Sequence, residues 1–129
     1  MIVMRYFWKP FLWIVIIAVL SLLPGDDLPQ KTFIIPHFDK IVHVGMYFIS
    51  CLFLIPPFEK LRVGKGYFAA FVSSLFLGAL FEVLQNTIAR NRSGNYDDFF
   101  ADLAGAALAL FFYRFFVSGK KIERIFTVR

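Results

Sequence analysis

Asp39, His43 and Tyr47 recur at every fourth position, which places a carboxylate, an imidazole and a phenol on one stripe of a helix. In that arrangement Asp39 would orient His43 as a proton donor and acceptor working near neutral pH. Further along, Glu82 and Gln85 stand one turn apart, followed by Asn86, and Asp98 and Asp102 repeat the i, i+4 spacing. The segment "ARNRSGNYDD" between these two groups contributes Arg90 and Arg92. This set suits acid/base chemistry by His43 and Glu82. Asp39, Lys40, Tyr47, Gln85, Arg92, Asp98 and Asp102 are candidates for holding a ligand. Arg92 and Lys40 would pair with a phosphate or carboxylate, and Tyr47 and Gln85 would orient it.

Each residue also has a plainer reading. Glu82 would serve as a polar clamp between helices, His43 as an interfacial residue, and Asp98 as an N-cap or first-turn acid. A divalent metal would find one histidine and several carboxylates, but there is no HExxH or paired-histidine spacing. No metal or other cofactor is therefore expected. Ser50, Ser73 and Ser74 fall too far from His43 to act as a nucleophile. The single Cys51 reads as a small buried hydrophobe and forms no internal disulfide.

The elements that must position these groups are apolar. Hydrophobic residues make up 59% of the 129 positions, 18 of them Phe, and mean hydropathy is +0.68. So short a chain cannot hide that much apolar surface in its own core, whereas lipid can. Four apolar stretches, about 6–23, 41–57, 67–89 and 99–117, each approach the roughly 17–25 residues that cross a bilayer as a helix. None alternates with period two, which argues against a β-barrel. Arg5 and Lys9 precede the first stretch as they would in a signal peptide. No small-x-small cleavage site follows, so it reads as a retained helix. The expectation is a single all-α domain over 1–129, an integral membrane four-helix bundle.

Charge then sets orientation. Of 14 cations, ten fall on one side: Arg5 and Lys9, then Lys60, Arg62 and Lys65, then Arg114, Lys120, Lys121, Arg124 and Arg129. Lys31, Lys40, Arg90 and Arg92 lie on the other. The positive-inside rule places the N- and C-termini in the cytoplasm. The net charge of +5 is thus topological, and no nucleic-acid partner is expected. Most acids, including Asp26, Asp27, Asp39, Asp97, Asp98 and Asp102, collect at the outer face.

The outer loop "PGDDLPQKTFIIPHFDK" holds three prolines and cannot be one helix. Its Phe33-Ile34-Ile35 run would lie on the membrane surface or fold over the bundle as a lid. In the tail, 118–129, Ile122, Ile125 and Phe126 sit among basic residues and suggest a short amphipathic piece drawn to anionic lipid.

At 1.5 Å per residue, Glu82 would lie about 10 Å below the outer end of its helix, Tyr47 about 9 Å and Asp102 about 5 Å. All three would therefore meet in the outer third of the bilayer. A carboxylate at that depth must face the bundle interior and find a partner.

Taken in order, Asp39-Lys40-x-x-His43-x-x-x-Tyr47, Glu82-x-x-Gln85, Arg92, Asp98 and Gly105 resemble the VanZ-like family. The likeness covers roughly 39–109 and extends to the four-helix layout. It departs at Asp102, where the family usually has Asn, and at Ala109, which replaces a second glycine. The gap from Gln85 to Arg92 is about one residue longer, which makes Arg90 a rival for the family arginine. The resemblance implies a small multi-pass protein of the bacterial cytoplasmic membrane, with some relatives linked to glycopeptide or lipoglycopeptide resistance. Membrane lipids, and an envelope-lipid or cell-wall-precursor headgroup, are the partners expected in a pocket open to the outer leaflet. A scaffold with a purely structural polar cluster is the alternative, and a small oligomeric transporter is the third. Substrate, oligomeric state and whether a reaction is catalysed stay open.

Overall fold

The computed structural model describes residues 2–24, 36–62, 64–89 and 95–128. These form α1 (Ile2–Leu22), α2 (Phe38–Lys60), α3 (Gly66–Thr87), α4 (Tyr96–Phe112) and α5 (Glu123–Phe126), with a π-helical turn, Tyr113–Val117, continuing α4. There is no strand among the described residues. Four helices are long and apolar enough to cross a membrane, as the composition predicts. The helices begin earlier and, in three cases, end differently from the expected bounds.

Two of those differences have clear causes. The second apolar stretch is expected to end at 57, where the charged residues of the next loop begin. Instead α2 runs on to Lys60, because Pro56 and Pro57 are buried among neighbouring helices and the Leu61 N–H donates to the Pro57 carbonyl at 3.0 Å. The start of α4 moves from 99 to Tyr96 because Asn95, not Asp98, is its cap: the Asn95 side chain accepts from the Asp97 N–H at 3.3 Å.

The central element is α2, with 56% of its span buried inside the bundle against 11% for α1. Its most extensive contact is with α4, then with α3. The α2–α4 seam is lined on the α4 side by small residues: Ala101, Gly105, Ala106 and Ala109, all buried. A Cβ at Gly105 would strike the Val44 carbonyl oxygen and come within 3.0 Å of the Phe48 backbone nitrogen. Only glycine lets the two backbones meet there. By contrast α1 leans on α2 through an indole bond, Trp13 Nε1 to the Met46 carbonyl at 3.0 Å.

At the end carrying the chain termini, the tail folds back on the bundle. Tyr113 Oη donates to Glu123 at 3.1 Å, and the Gly119 N–H donates to the same carboxylate at 3.0 Å. Phe126 packs against Phe53 and Tyr113, and Lys9 donates to the Ile125 carbonyl at 2.6 Å. The expected amphipathic piece is thus only a four-residue helix. Its Phe126 serves the bundle, while Ile122 and Ile125 stay exposed. The proline-rich loop lies outside the described residues from 25 to 35, as do Arg90 and Arg92.

The seam predicts unequal costs for two glycines on facing helices. Gly105→Ala should destabilise the detergent-solubilised protein by about 1–3 kcal/mol, as overpacking does. Gly45→Ala meets nothing within 4 Å and should be neutral or slightly stabilising through helix propensity. Equal thermal midpoints for the two variants would refute the close-approach argument.

Candidate functional site

The polar side chains gather at the end of the bundle opposite the chain termini, where α2 and α4 begin and α3 ends. Here α2 offers Lys40 and His43 one turn apart, and α4 offers Asp98 and Asp102 one turn apart. The close seam aligns these into two rungs. Lys40 pairs with the Asp98 carboxylate. One turn deeper, His43 Nδ1 lies 2.8 Å from Asp102 Oδ1 in a buried hydrogen bond. Gly105 occupies the next position along the same face of α4 and sets the helix separation that both rungs need.

The deeper rung is also where α3 arrives. A Cβ at Gly78 would sit 2.7 Å from Asp102 Oδ2, so the aspartate fits only because position 78 has no side chain. Glu82 stands one turn further along α3, on the same face. One ring nitrogen of His43 and one carboxylate oxygen each from Glu82 and Asp102 lie within 4.8 Å of one another. The imidazole is flanked by Tyr47, whose buried ring lies nearly parallel to it, 17° apart, at a centroid distance of 6.5 Å. The phenol thus forms the floor of the cluster.

Three expectations change. The acid that orients His43 is Asp102, not Asp39. The Asp39 side chain is 64% exposed and sits 3.1 Å from Lys40. At the first turn of α2 it keeps its hydration, while the shared stripe is used one turn deeper by a neighbouring helix. Gln85 does not join the cluster either. Its amide donates to the Ser21 carbonyl at 3.0 Å and ties α3 to α1. Glu82 and Gln85 lie about 60° apart around α3, enough for one to face α4 and the other α1. Asp98 is a first-turn acid, as one plain reading had it, but its carboxylate is committed to Lys40 rather than to capping.

Two carboxylate oxygens are left over. Glu82 Oε2 and Asp102 Oδ2 are buried and have no hydrogen-bond partner among the described residues. Five carboxylates, from Asp39, Glu82, Asp97, Asp98 and Asp102, share this end with one described lysine, Lys40, and two imidazoles, His37 and His43. The described site therefore carries an excess of acid. Sequence reasoning missed Gly78, since an isolated glycine in an apolar helix signals nothing until the group facing it is known.

Comparison with known protein families, with curated proteins and with solved structures finds no match.

The two rungs differ in how they can be dismantled. Lys40→Met leaves Asp98 without its partner at a largely buried position and should cost roughly 3 kcal/mol, the scale of breaking such a pair from one side. Adding Asp98→Leu should restore most of that loss. Thermal unfolding in detergent measures both. A double variant no more stable than Lys40→Met would show that the pair is not the interaction lost.

Proposed function

We propose that the chain is a VanZ-like protein of a bacterial cytoplasmic membrane with both termini in the cytoplasm. Its polar cluster opens to the outer leaflet, where it binds or modifies the headgroup of an envelope lipid or cell-wall precursor. The observation that carries this reading is the pair of buried carboxylate oxygens, on Glu82 and Asp102 beside His43, that have no partner among the described residues. A polar cluster that only locks helices satisfies its own members, because an unmet acceptor in a low-dielectric interior costs free energy and returns no packing. Acceptors left free beside an imidazole suit a group that arrives from elsewhere. His43 and Glu82 then serve as proton donor and acceptor or as hydrogen-bonding groups. Lys40, with Arg92 or Arg90 from the adjoining loop, provides the cationic side of the site.

A scaffold reading draws on different contacts. Lys40–Asp98 joins α2 to α4, and Gln85 with the Ser21 carbonyl joins α3 to α1; both are ties between helices. The two readings part at the free carboxylate. If the cluster takes a ligand, Glu82→Gln and His43→Ala yield folded protein lacking function. If it is a clamp, Glu82→Gln yields misassembled protein.

The cellular test follows from the family resemblance. Production of the chain in a susceptible Gram-positive host should raise tolerance to teicoplanin or a lipoglycopeptide. Glu82→Gln and His43→Ala should abolish that gain while membrane levels and detergent melting stay unchanged. Full tolerance in both folded variants would end the headgroup reading. Orientation is tested separately in a Cys51→Ser background. An impermeant maleimide added to intact cells should label Tyr96→Cys and leave Thr127→Cys unlabelled; the reverse pattern would invert the topology.

A further inference from the structure

We infer that His43, Glu82 and Asp102 form a binding site for one divalent transition-metal ion of the zinc or manganese class. The residues come from three different helices, and one donor atom from each lies within 4.8 Å of the other two. Asp102 is fully buried, with 0% exposure, yet its Oδ2 has no hydrogen-bond partner among the described residues. The same holds for the buried Oε2 of Glu82. Those two oxygens are therefore not bonded to each other, as a shared proton would require. A cation between them meets both needs at once.

The donor set narrows the ion. One imidazole nitrogen with two carboxylates favours zinc, manganese or iron(II) over magnesium or calcium, which prefer all-oxygen shells. Zinc bonds of about 2.0–2.1 Å in a tetrahedron set neighbouring donors about 3.3 Å apart. The hydrogen bond from His43 Nδ1 to Asp102 Oδ1 at 2.8 Å leaves Asp102 Oδ2 and the second ring nitrogen, Nε2, for an ion, with the carboxylate fixing the imidazole's tautomer. The three donors lie within 4.8 Å of one another, so a tetrahedral shell asks them to draw together, and Glu82 is the least buried of the three. Three protein donors leave at least one position open, the pattern of sites that take water or a ligand rather than of purely structural sites.

Charge supports the same conclusion. Among the described residues this end holds more carboxylates than cations, and Lys40 is shared by Asp98 and Asp39. An ion of charge +2 offsets Glu82 and Asp102 at a depth where uncompensated carboxylates are costly. It would also supply positive charge to an anionic headgroup, a role that rests on the reading proposed above, whereas the site itself does not.

The test uses the full chain in a nonionic detergent, stripped with chelator and free of added lipid. Titration with Zn²⁺, followed by calorimetry and by metal analysis after desalting, should give one ion per chain. Glu82→Gln should weaken binding at least tenfold, and Asp102→Asn and His43→Ala should abolish it. Asp97→Asn, an exposed acid outside the cluster, should bind as the original does. Co²⁺ loaded into the unaltered chain gives a second readout that does not depend on the buried variants keeping their fold. Visible absorption bands of a four- or five-coordinate nitrogen–oxygen site are expected. Binding below one ion per chain, binding unaffected by Glu82→Gln, or a Co²⁺ spectrum of the hexaaquo ion would each overturn the site. Metal binding without any antibiotic phenotype would count against the headgroup reading alone, and the phenotype without metal binding against the metal site alone.

Discussion

The close approach of α4 to α2 at Gly105 is the constraint on which the other features depend. Inside lipid, helices gain little by burying apolar surface against one another, since the tails are as apolar as leucine. Association must come from contact at short range and from polar pairs. The Val44 carbonyl sits where a Cβ at position 105 would be, and Ala101, Ala106 and Ala109 keep the rest of the seam narrow. At that separation Lys40 reaches Asp98 and His43 reaches Asp102. With a bulkier seam the same four side chains would be charges in hydrocarbon with their partners out of reach. The small residues and the polar rungs are thus one device seen from two sides.

This device makes the two ends of the bundle unlike each other. At the end with the chain termini, the polar groups are consumed internally. Glu123 accepts from Tyr113 and from a backbone N–H, Lys9 caps the tail carbonyls, and aromatic rings fill the space between. At the other end, the outer rung is satisfied and the inner one is only half so. Asp102 spends one oxygen on His43 and keeps the other against Gly78. The unmet capacity therefore lies in the second layer of the site, shielded by the Lys40–Asp98 pair above it and floored by Tyr47.

Much of this was legible in the chain itself. The number of helices followed from apolar runs of membrane-spanning length, and the shared depth of Tyr47, Glu82 and Asp102 followed from the rise of a helix. A stripe, however, names a face without naming the neighbour that faces it. Asp39 and His43 share a stripe, yet a carboxylate one turn away on the same helix competes poorly with Asp102 presented directly by α4. Glu82 and Gln85 share a turn, yet the 60° between them is the angle between two different neighbours. The helix ends were misplaced for a related reason. Pro56 and Pro57 stop an isolated helix but not one whose neighbours bury them, and the cap of α4 fell on Asn95, a residue that competes with two nearby aspartates, Asp97 and Asp98, in the sequence.

The acid excess bears on what kind of ligand this site can hold. Among the described residues, a phosphate or carboxylate headgroup approaching the cluster would meet Asp98, Asp102 and Glu82 and no uncommitted cation, because Lys40 is already engaged on two sides. Repulsion between like charges strengthens as water is excluded. An anionic ligand therefore requires positive charge brought to the cluster, either by a guanidinium from the loop that joins α3 to α4 or by an ion held between Glu82 and Asp102. The ion has the stronger physical claim on the inner rung. It would satisfy both orphaned oxygens at once. With its positive charge held on the inner rung, the site would discriminate by the depth to which a ligand's charge can reach.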